Sequence, residues 1–273
     1  MAGGQFEYTV QPGDYLIKIG ARFGVSARIL AQENGLDYDG ILRPGRKLRV
    51  NNLHIVPPPL PEGILINLPQ RMLFFFRAGE LNAFYPVGLG RPDWPTPSGS
   101  FSISNLQEDK EWIVPKSIQE EMRREGQVVR TKVPPGPDNP LGRHWIGLSL
   151  AGYGIHGTIA PASVYHFQSH GCIRLHPDDI KSLFTTVKVG MKGRIIYTPV
   201  LLAQLPDSRI FLEIQGNIYR KAGDPLESAR RLAEDNGLAQ HIDWDRVAEV
   251  IRRQEGLARE VTLVPAVREN GQR

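Results

Sequence analysis

A cluster of prolines near residue 60 constrains the fold of this chain more than any other feature. The segment Val56-Pro-Pro-Pro-Leu-Pro61 holds four prolines in six residues. Clustered prolines favour extended polyproline II backbone and are excluded from helix interiors and central strands. We therefore expect a semi-rigid linker at residues 57–62, between a small module at 6–56 and a larger one at 63–199.

The small module has the pattern strand, helix, helix, strand. Residues 6–10 alternate between apolar and polar side chains, as a strand does. We expect Asp14 to cap a first helix and Asn34-Gly35 to end a second one. Arg43-Pro-Gly45 then turns the chain into a closing strand at residues 47–50.

This module resembles the LysM family. The resemblance rests on Tyr8-Thr-Val-Gln-Pro-Gly-Asp14, Asn34-Gly-Leu36 and Leu42-Arg-Pro-Gly45. It implies binding of N-acetylglucosamine-containing glycan strands such as those of peptidoglycan, and Tyr15 departs from the family pattern where Thr or Ser is common. A degenerate module kept only as a spacer is the alternative. The residues implied in glycan binding are Gly13, Asp14, Tyr15, Asn34 and Gly35.

The rest of the chain is predicted to be mainly β with α. Residues 63–199 hold short apolar segments separated by Gly and Pro turns, which favours a β sandwich with few helices. One clear helix begins at Pro177. Residues 200–273 predict one strand at 210–214 followed by a small α-helical region, with helices capped by Asp224 and Asp243. The tail from Glu269 is expected to be disordered.

Composition and charge exclude several classes of protein. The net charge of +4 and the pI of about 9.2 are mild, and no nucleic-acid-binding motif accompanies them. No apolar run approaches the roughly 18 residues needed to cross a bilayer. With a single cysteine, an intramolecular disulfide cannot form. Met1-Ala-Gly-Gly4 shows no secretory leader, so any expectation of export has to come from function.

Two short segments carry the chemistry: Ile155-His-Gly-Thr158 and Ser169-His-Gly-Cys-Ile-Arg-Leu175. An imidazole can take the proton of a nearby thiol, and we expect an ion pair that lowers the pKa of Cys172 toward neutral. Gly171 permits unusual dihedrals, which suits presentation of amide N–H groups to an oxyanion. The Arg174 guanidinium suits a substrate carboxylate.

Other readings of the same residues are weaker. A papain-like protease places its cysteine before its histidine, whereas His156 precedes Cys172 here. A zinc site built from His156, His170 and Cys172 stays open as an alternative. No His-Glu-x-x-His pair accompanies these residues, and acidic residues do not cluster with them. We expect no metal and no cofactor.

The segment around Cys172 resembles the catalytic domain of the L,D-transpeptidase family, called YkuD, in its ErfK-like subgroup. Thr96-Pro-Ser-Gly99 and Pro137-Asp-Asn-Pro-Leu-Gly142 extend the resemblance. It implies that Cys172 is the nucleophile and His156 the base, oriented by the Gly157 carbonyl. It also implies an oxyanion hole at Gly171 and Cys172. The residues implied in substrate binding are Arg174, Ser169, His170 and Tyr153.

The resemblance implies acyl transfer on peptidoglycan in the periplasm or cell envelope. The thiolate would attack the L-centre carbonyl of the diamino acid in a tetrapeptide stem and release D-Ala. An amine would then accept the acyl group, giving a 3→3 cross-link or attachment of a lipoprotein lysine. Carbapenems would acylate the same thiol. The alternatives are an L,D-carboxypeptidase and a catalytically inactive wall-binding protein.

Overall fold

The structure is a computed structural model that describes residues 1–264. The prediction for the tail from Glu269 lies outside the described residues. Among those residues, no helix is both long and apolar enough to cross a membrane.

The N-terminal module has the predicted βααβ order. Strands β1 and β2 pair antiparallel, and the two short helices pack their apolar faces against them. The elements are β1 (Gln5–Thr9), α1 (Leu16–Phe23), α2 (Ala27–Glu33) and β2 (Lys47–Asn51). Gly24 ends α1 in the left-handed conformation, with φ +74°. The capping prediction for Asp14 is wrong, because Tyr15 holds the N-cap position and Asp14 accepts a hydrogen bond from Gln11 N–H, at 2.9 Å.

The central module is built on one mixed eight-stranded sheet. Its order is β13-β11-β10-β7-β14-β3-β4-β5, and two small two-stranded sheets, β6-β12 and β8-β9, flank it. The strands are β3 (Gly63–Asn67), β4 (Met72–Arg77), β5 (Glu80–Pro86), β6 (Leu89–Gly90), β7 (Gly99–Glu108), β8 (Trp112–Ile113), β9 (Lys132–Val133), β10 (His144–Leu148), β11 (Gly154–His156), β12 (Phe167–Ser169), β13 (Ile173–Arg174) and β14 (Lys192–Ile196). The helices are α3 (Lys116–Arg124) and α4 (Pro177–Thr186).

Burial on both faces explains the continuous apolar runs in this sheet. In β4, Leu73 and Phe75 join the main core, while Met72, Phe74 and Phe76 pack on the opposite face. A strand covered on both faces loses the alternation of apolar and polar residues. Helix α4 closes the main core with Ile180 and Leu183, and it follows directly on β13, the strand next to Cys172.

The C-terminal region contains more strand than the sequence indicates. A three-stranded antiparallel sheet in the order β15-β16-β17 packs against both helices. The elements are β15 (Val200–Gln204), β16 (Ile210–Ile214), α5 (Pro225–Asp235), α6 (Trp244–Arg253) and β17 (Arg259–Glu260). Asp224 and Asp243 cap the helices as predicted, each accepting hydrogen bonds from first-turn N–H groups. The fold class is therefore confirmed, with a helical region that also has its own sheet.

The proline-rich segment does not hold the modules apart. Val56 and Leu60 pack on the apolar face formed by Met72, Phe74 and Phe76. Helix α1 lies against the 3₁₀ turn Pro161–Ser163, which is part of the connection between the two catalytic segments. The Arg22 guanidinium donates to Asp179 Oδ1 at 3.0 Å. The LysM-like module therefore packs directly against the larger module, and the proline-rich segment does not act as a spacer between them.

A buried carboxylate joins all three regions. Glu213 of β16 is fully buried and accepts hydrogen bonds from Ile55 N–H, at 2.6 Å, and Gln70 Nε2, at 2.9 Å. Its Oε1 also lies 2.9 Å from His54 Nδ1, and the other ring nitrogen of His54 lies 2.9 Å from the Gly24 carbonyl. Gln70 Nε2 also donates to the Ile55 carbonyl, at 2.9 Å, but Ile55 N–H and His54 Nδ1 have no other partner among residues 1–264 and depend on this carboxylate.

Replacing Glu213 by Ala is expected to destabilise the protein strongly. Buried donors left without an acceptor lose their hydrogen bonds without regaining water, at a cost of about 3 to 5 kcal/mol. Chemical denaturation followed by circular dichroism measures the change. Glu234→Ala, an exposed residue of α5, is the matched control. Equal effects of the two substitutions would contradict the assigned role of Glu213.

Candidate active site

Parallel strand pairing brings the two catalytic segments together. Strands β11 and β13 are paired in the register Ile155 to Ile173 and His156 to Arg174. Because side chains alternate along a strand, Cys172, two residues before Arg174, lies toward the same face as His156. His156, Cys172 and Arg174 all line one cavity of about 610 Å³. The sequence placed these residues in one site, and the structure does bring them together.

His156 is buried, and one of its two ring nitrogens is held by a hydrogen bond. Its Nδ1 lies 2.6 Å from the Gly157 carbonyl oxygen, so Nδ1–H donates and Nε2 keeps its lone pair. The ring stacks on Trp145, with centroids 5.8 Å apart. Burial, followed by the positive charge of Arg174, lowers the pKa of His156 to about 4. At neutral pH the imidazole is therefore uncharged and able to accept a proton.

The surroundings of the Cys172 thiol also favour its uncharged form. Its Sγ–H donates to the Gly152 carbonyl, at 3.7 Å. Burial raises the pKa of Cys172, and a backbone hydrogen bond from Gly154 and the charge of Arg174 oppose this only in part. The expected thiolate–imidazolium pair with a lowered thiol pKa is therefore wrong, because desolvation disfavours both charged forms.

We predict that alkylation of the enzyme by iodoacetamide rises with pH through a pKa above that of an ordinary cysteine. Only the thiolate reacts, and burial keeps its population low at neutral pH. Since Cys172 is the single cysteine, all cysteine labelling reports on it. Mass spectrometry of the alkylated protein between pH 5 and 10 gives the profile. A plateau reached below pH 7 would indicate the ion pair instead.

The segment before the thiol is held by hydroxyl groups. Ser169 Oγ donates to the Cys172 carbonyl at 2.6 Å and accepts from Gly171 N–H at 3.1 Å. Thr96 Oγ1 donates to the Gly171 carbonyl at 2.8 Å. Gly171 has φ +104°, and a Cβ there would lie 2.7 Å from the Tyr153 ring. This position accepts only glycine, which fixes the direction in which the next residue points.

The two amides predicted for the oxyanion hole differ in availability. The N–H of Gly171 is already engaged by Ser169 Oγ. No residue that the structure describes accepts a hydrogen bond from the N–H of Cys172. Of the two, the Cys172 amide is the one free for a developing negative charge.

Arg174 supplies an unsatisfied cation beside the thiol. Its Nε is buried and has no hydrogen-bond partner among residues 1–264. Burial lowers the pKa of Arg174, although the group stays cationic in any ordinary buffer. A buried guanidinium donor without a partner fits a carboxylate of a bound substrate.

The other predicted pocket residues lie where the sequence placed them. Tyr153, Ser169 and His170 line the same cavity. Three further residues line the cavity that no sequence motif indicates, because each comes from a strand, helix or loop far from Cys172: Arg91, Glu121 and Trp145. Thr96 could have been found, since it opens the segment Thr96-Pro-Ser-Gly99 noted above.

Some of the residues predicted for glycan binding form hydrogen bonds that hold the module together, and others lie at its surface. The Asp14 carboxylate accepts from Tyr8 Oη, at 2.6 Å, and pairs with Lys18 at 3.1 Å. The Asn34 amide bonds both to Leu30 and to the backbone of Arg49, at 2.8 Å. Tyr15 is 49% exposed, and Gly13 and Gly35 have positive φ angles in the adjoining turns. Asp14 and Asn34 therefore hold loops in place, and Tyr15 offers the exposed surface.

Metal ligation finds no support in the geometry. Within the part of the chain that the structure describes, no group of three or more His, Cys, Asp or Glu side chains is placed to hold an ion.

A buried histidine and a thiol in one cavity are the pair of groups that enzymes with a cysteine nucleophile use. Family models agree: the L,D-transpeptidase catalytic domain (YkuD) matches residues 61–200, and the LysM domain matches residues 8–51. The chain is 31% identical to the probable L,D-transpeptidase ErfK/SrfK of Salmonella typhimurium over 87% of this chain and 79% of the relative. It is also 31% identical to the probable L,D-transpeptidase YcfS of Escherichia coli, over 81% and 70% of the two chains.

The chain therefore belongs to the L,D-transpeptidase family and carries a LysM domain. Both resemblances drawn from the sequence are confirmed. A shorter relative, the putative L,D-transpeptidase YkuD of Bacillus licheniformis, is 30% identical over 70% of this chain and 98% of its own length.

Proposed function

We propose that this enzyme is a peptidoglycan L,D-transpeptidase in which Cys172 is the nucleophile and His156 the general base. The observation that carries the proposal is the hydrogen bond that fixes one ring nitrogen of His156. Its Nδ1–H is held by the Gly157 carbonyl, so the nitrogen left for proton transfer is Nε2. A base and a thiol that line one cavity, each in surroundings that favour its uncharged form, are the starting state that base-assisted attack requires.

In the first half-reaction the thiol becomes a thioester. The Cys172 S–H proton passes to His156 Nε2 while sulfur attacks the carbonyl carbon at the L-centre of the diamino residue. The oxyanion takes the free N–H of Cys172 as a donor. The C–N bond to terminal D-Ala then breaks, and the leaving amine takes the proton from Nε2. Arg174, with its unsatisfied Nε, binds a stem carboxylate throughout.

In the second half-reaction an amine attacks the thioester. Its proton passes to His156 Nε2, the C–S bond breaks, and the departing sulfur recovers a proton from the same nitrogen. We propose that the acceptor is the side-chain amine of a second stem, which gives a 3→3 cross-link. A lysine of a lipoprotein uses the same chemistry, and water would give an L,D-carboxypeptidase.

We further propose that the N-terminal module at residues 6–56 binds the glycan strands of the same polymer. We propose that the rest of the chain divides into a linker at 57–62, a catalytic domain at 63–199 and a C-terminal extension at 200–273. Exposed Tyr15 offers an aromatic face to a sugar, and the turns at Gly13 and Gly35 shape the surface around it. Because both substrates lie in the wall, the enzyme works in the cell envelope, in the periplasm where a second membrane is present.

Purified tetrapeptide muropeptides test the proposal. The enzyme is expected to release D-Ala and to form products whose masses correspond to two joined stems. Adding a lysine-terminated peptide or omitting acceptors separates cross-linking, lipoprotein attachment and hydrolysis by product mass. Absence of D-Ala release, with Cys172 shown to be reduced, would contradict the proposal and favour a wall-binding protein without activity.

A further inference from the structure

Helix α3 sends one carboxylate into the catalytic cavity. Glu121 is 12% exposed at its side chain and is hydrogen-bonded to His170 Nε2 through one oxygen. Its other oxygen pairs with the guanidinium of Arg91. The three residues come from separate parts of the chain, so this contact exists only in the folded enzyme.

The same helix is anchored beside the cavity by an apolar cluster. Ile118 packs with Val114 and Val133, and Trp94 borders this cluster. The edge of the Trp94 ring meets His170, with centroids 5.0 Å apart. His170 is therefore held on one side by an aromatic ring and on another by the Glu121 carboxylate.

His170 directly precedes the residues that do the chemistry. Gly171 and Cys172 follow it, and Cys172 supplies both the side-chain thiol and the free amide N–H. Ser169 and Thr96 restrain this segment by hydrogen bonds of 2.6 to 3.1 Å. The Arg91 N–H donates to the Ser169 carbonyl at 3.0 Å, so both partners of Glu121 belong to one rigid unit.

The surroundings of Glu121 favour the ionised form of its carboxyl group. Hydrogen bonds from Arg91 and then from His170 lower the pKa of its carboxyl, against a smaller opposing effect of burial. The carboxylate therefore stays ionised across the neutral range. A charge-assisted hydrogen bond to an ionised acceptor is stronger and better oriented than a neutral one.

We propose that Glu121 is a positioning residue for the acyl transfer. By holding His170 it keeps the backbone of residues 170–172 in the orientation that directs the Cys172 thiol and amide at the substrate carbonyl. Among residues 1–264, Glu121 forms no hydrogen bond with either reacting side chain. This inference rests on the proposed function, and it adds a residue from outside the motif to the site.

The test is D-Ala release from tetrapeptide muropeptides by Glu121→Gln. The amide keeps the size of the side chain and removes its charge. Misorientation of a nucleophile by a fraction of an ångström is costly, so kcat is expected to fall about tenfold or more. KM should change less than about threefold, because Arg174 is intact and glutamine keeps the size of the one cavity-lining side chain that changes. The control is Glu120→Gln, an exposed neighbour on the same helix, which should match the wild type.

A double-mutant cycle separates positioning from general loss of structure. If Glu121 acts through His170, the effect of Glu121→Gln on kcat should largely disappear in a His170→Ala background. Additive effects, or a fall in kcat matched by Glu120→Gln, would overturn the inference. Should Glu121→Gln fail to fold, Glu121→Asp keeps the charge on a shorter side chain and should give a smaller fall in kcat.

The outcomes distinguish the two proposals. A wild-type enzyme that releases no D-Ala overturns the proposed function and this inference with it. An active wild type whose Glu121→Gln variant keeps its kcat overturns the inference alone.

Discussion

Replacing Cys172 by Ala is expected to abolish D-Ala release from tetrapeptide stems, lowering the rate by about 10⁴-fold or more. The variant removes the atom that forms the thioester, and the chain has no second thiol that could replace it. The substitution removes only the sulfur atom, and Cys172 lines a cavity, so the fold should be kept. Release of D-Ala is measured by chromatography of the digest after equal incubation times.

Two controls make this result specific. Thermal unfolding of Cys172→Ala should match that of the wild type, which excludes loss of structure as the cause. Binding to insoluble peptidoglycan should also be unchanged, because the LysM domain does not contain the substituted residue. Substantial D-Ala release by the variant would mean that another group is the nucleophile.

Replacing His156 by Gln is expected to lower the rate of acylation by about 10² to 10⁴-fold near neutral pH, the range typical of a lost general base. The pH dependence should change as well. In the wild type, the base form of His156 is populated above about pH 4, so the acylation rate should fall only below about that pH. Below that pKa the imidazole carries a proton and cannot accept another.

The variant should instead follow the thiolate population. Without a base, attack requires prior ionisation of Cys172, whose pKa is raised by burial. Its rate should therefore climb as the pH rises beyond neutral. His166→Gln is a suitable control, because His166 does not line the catalytic cavity. A variant and a wild type with parallel pH profiles would contradict the role of His156 as the base.

Much of the site could be predicted from the sequence, because its motif is local. Cys172, His156, Ser169, His170 and Arg174 lie in two short segments whose residue types already indicate thiol chemistry. Local motifs also predicted the family and the βααβ order of the N-terminal module, and both predictions are confirmed.

The remaining features depend on tertiary contacts. The charge state of the site was mispredicted because desolvation is a property of the folded cavity, and a sequence gives no measure of it. Glu121 went unnoticed since it sits 49 residues before His170 on a helix without motif residues. The docking of Arg22 on Asp179 spans 157 residues, and nothing local marks either side chain as a partner.

Local preference also failed at two places. Asp14 has the chemistry of a helix cap, yet its carboxylate binds Tyr8 of β1, Gln11 of the preceding turn and Lys18 of α1 instead. The strands β15 and β17 are short and lie beside β16, so pairing partners rather than intrinsic propensity define them.

The central claim is that the sulfur of Cys172 receives the acyl group with His156 as base. Intact-mass spectrometry after exposure to a carbapenem tests it most directly, because such β-lactams are expected to acylate the same thiol. We predict one covalent adduct on the wild type, none on Cys172→Ala, and slow formation on His156→Gln. An adduct of equal mass and rate on Cys172→Ala, or none on the reduced wild-type enzyme, would contradict the account.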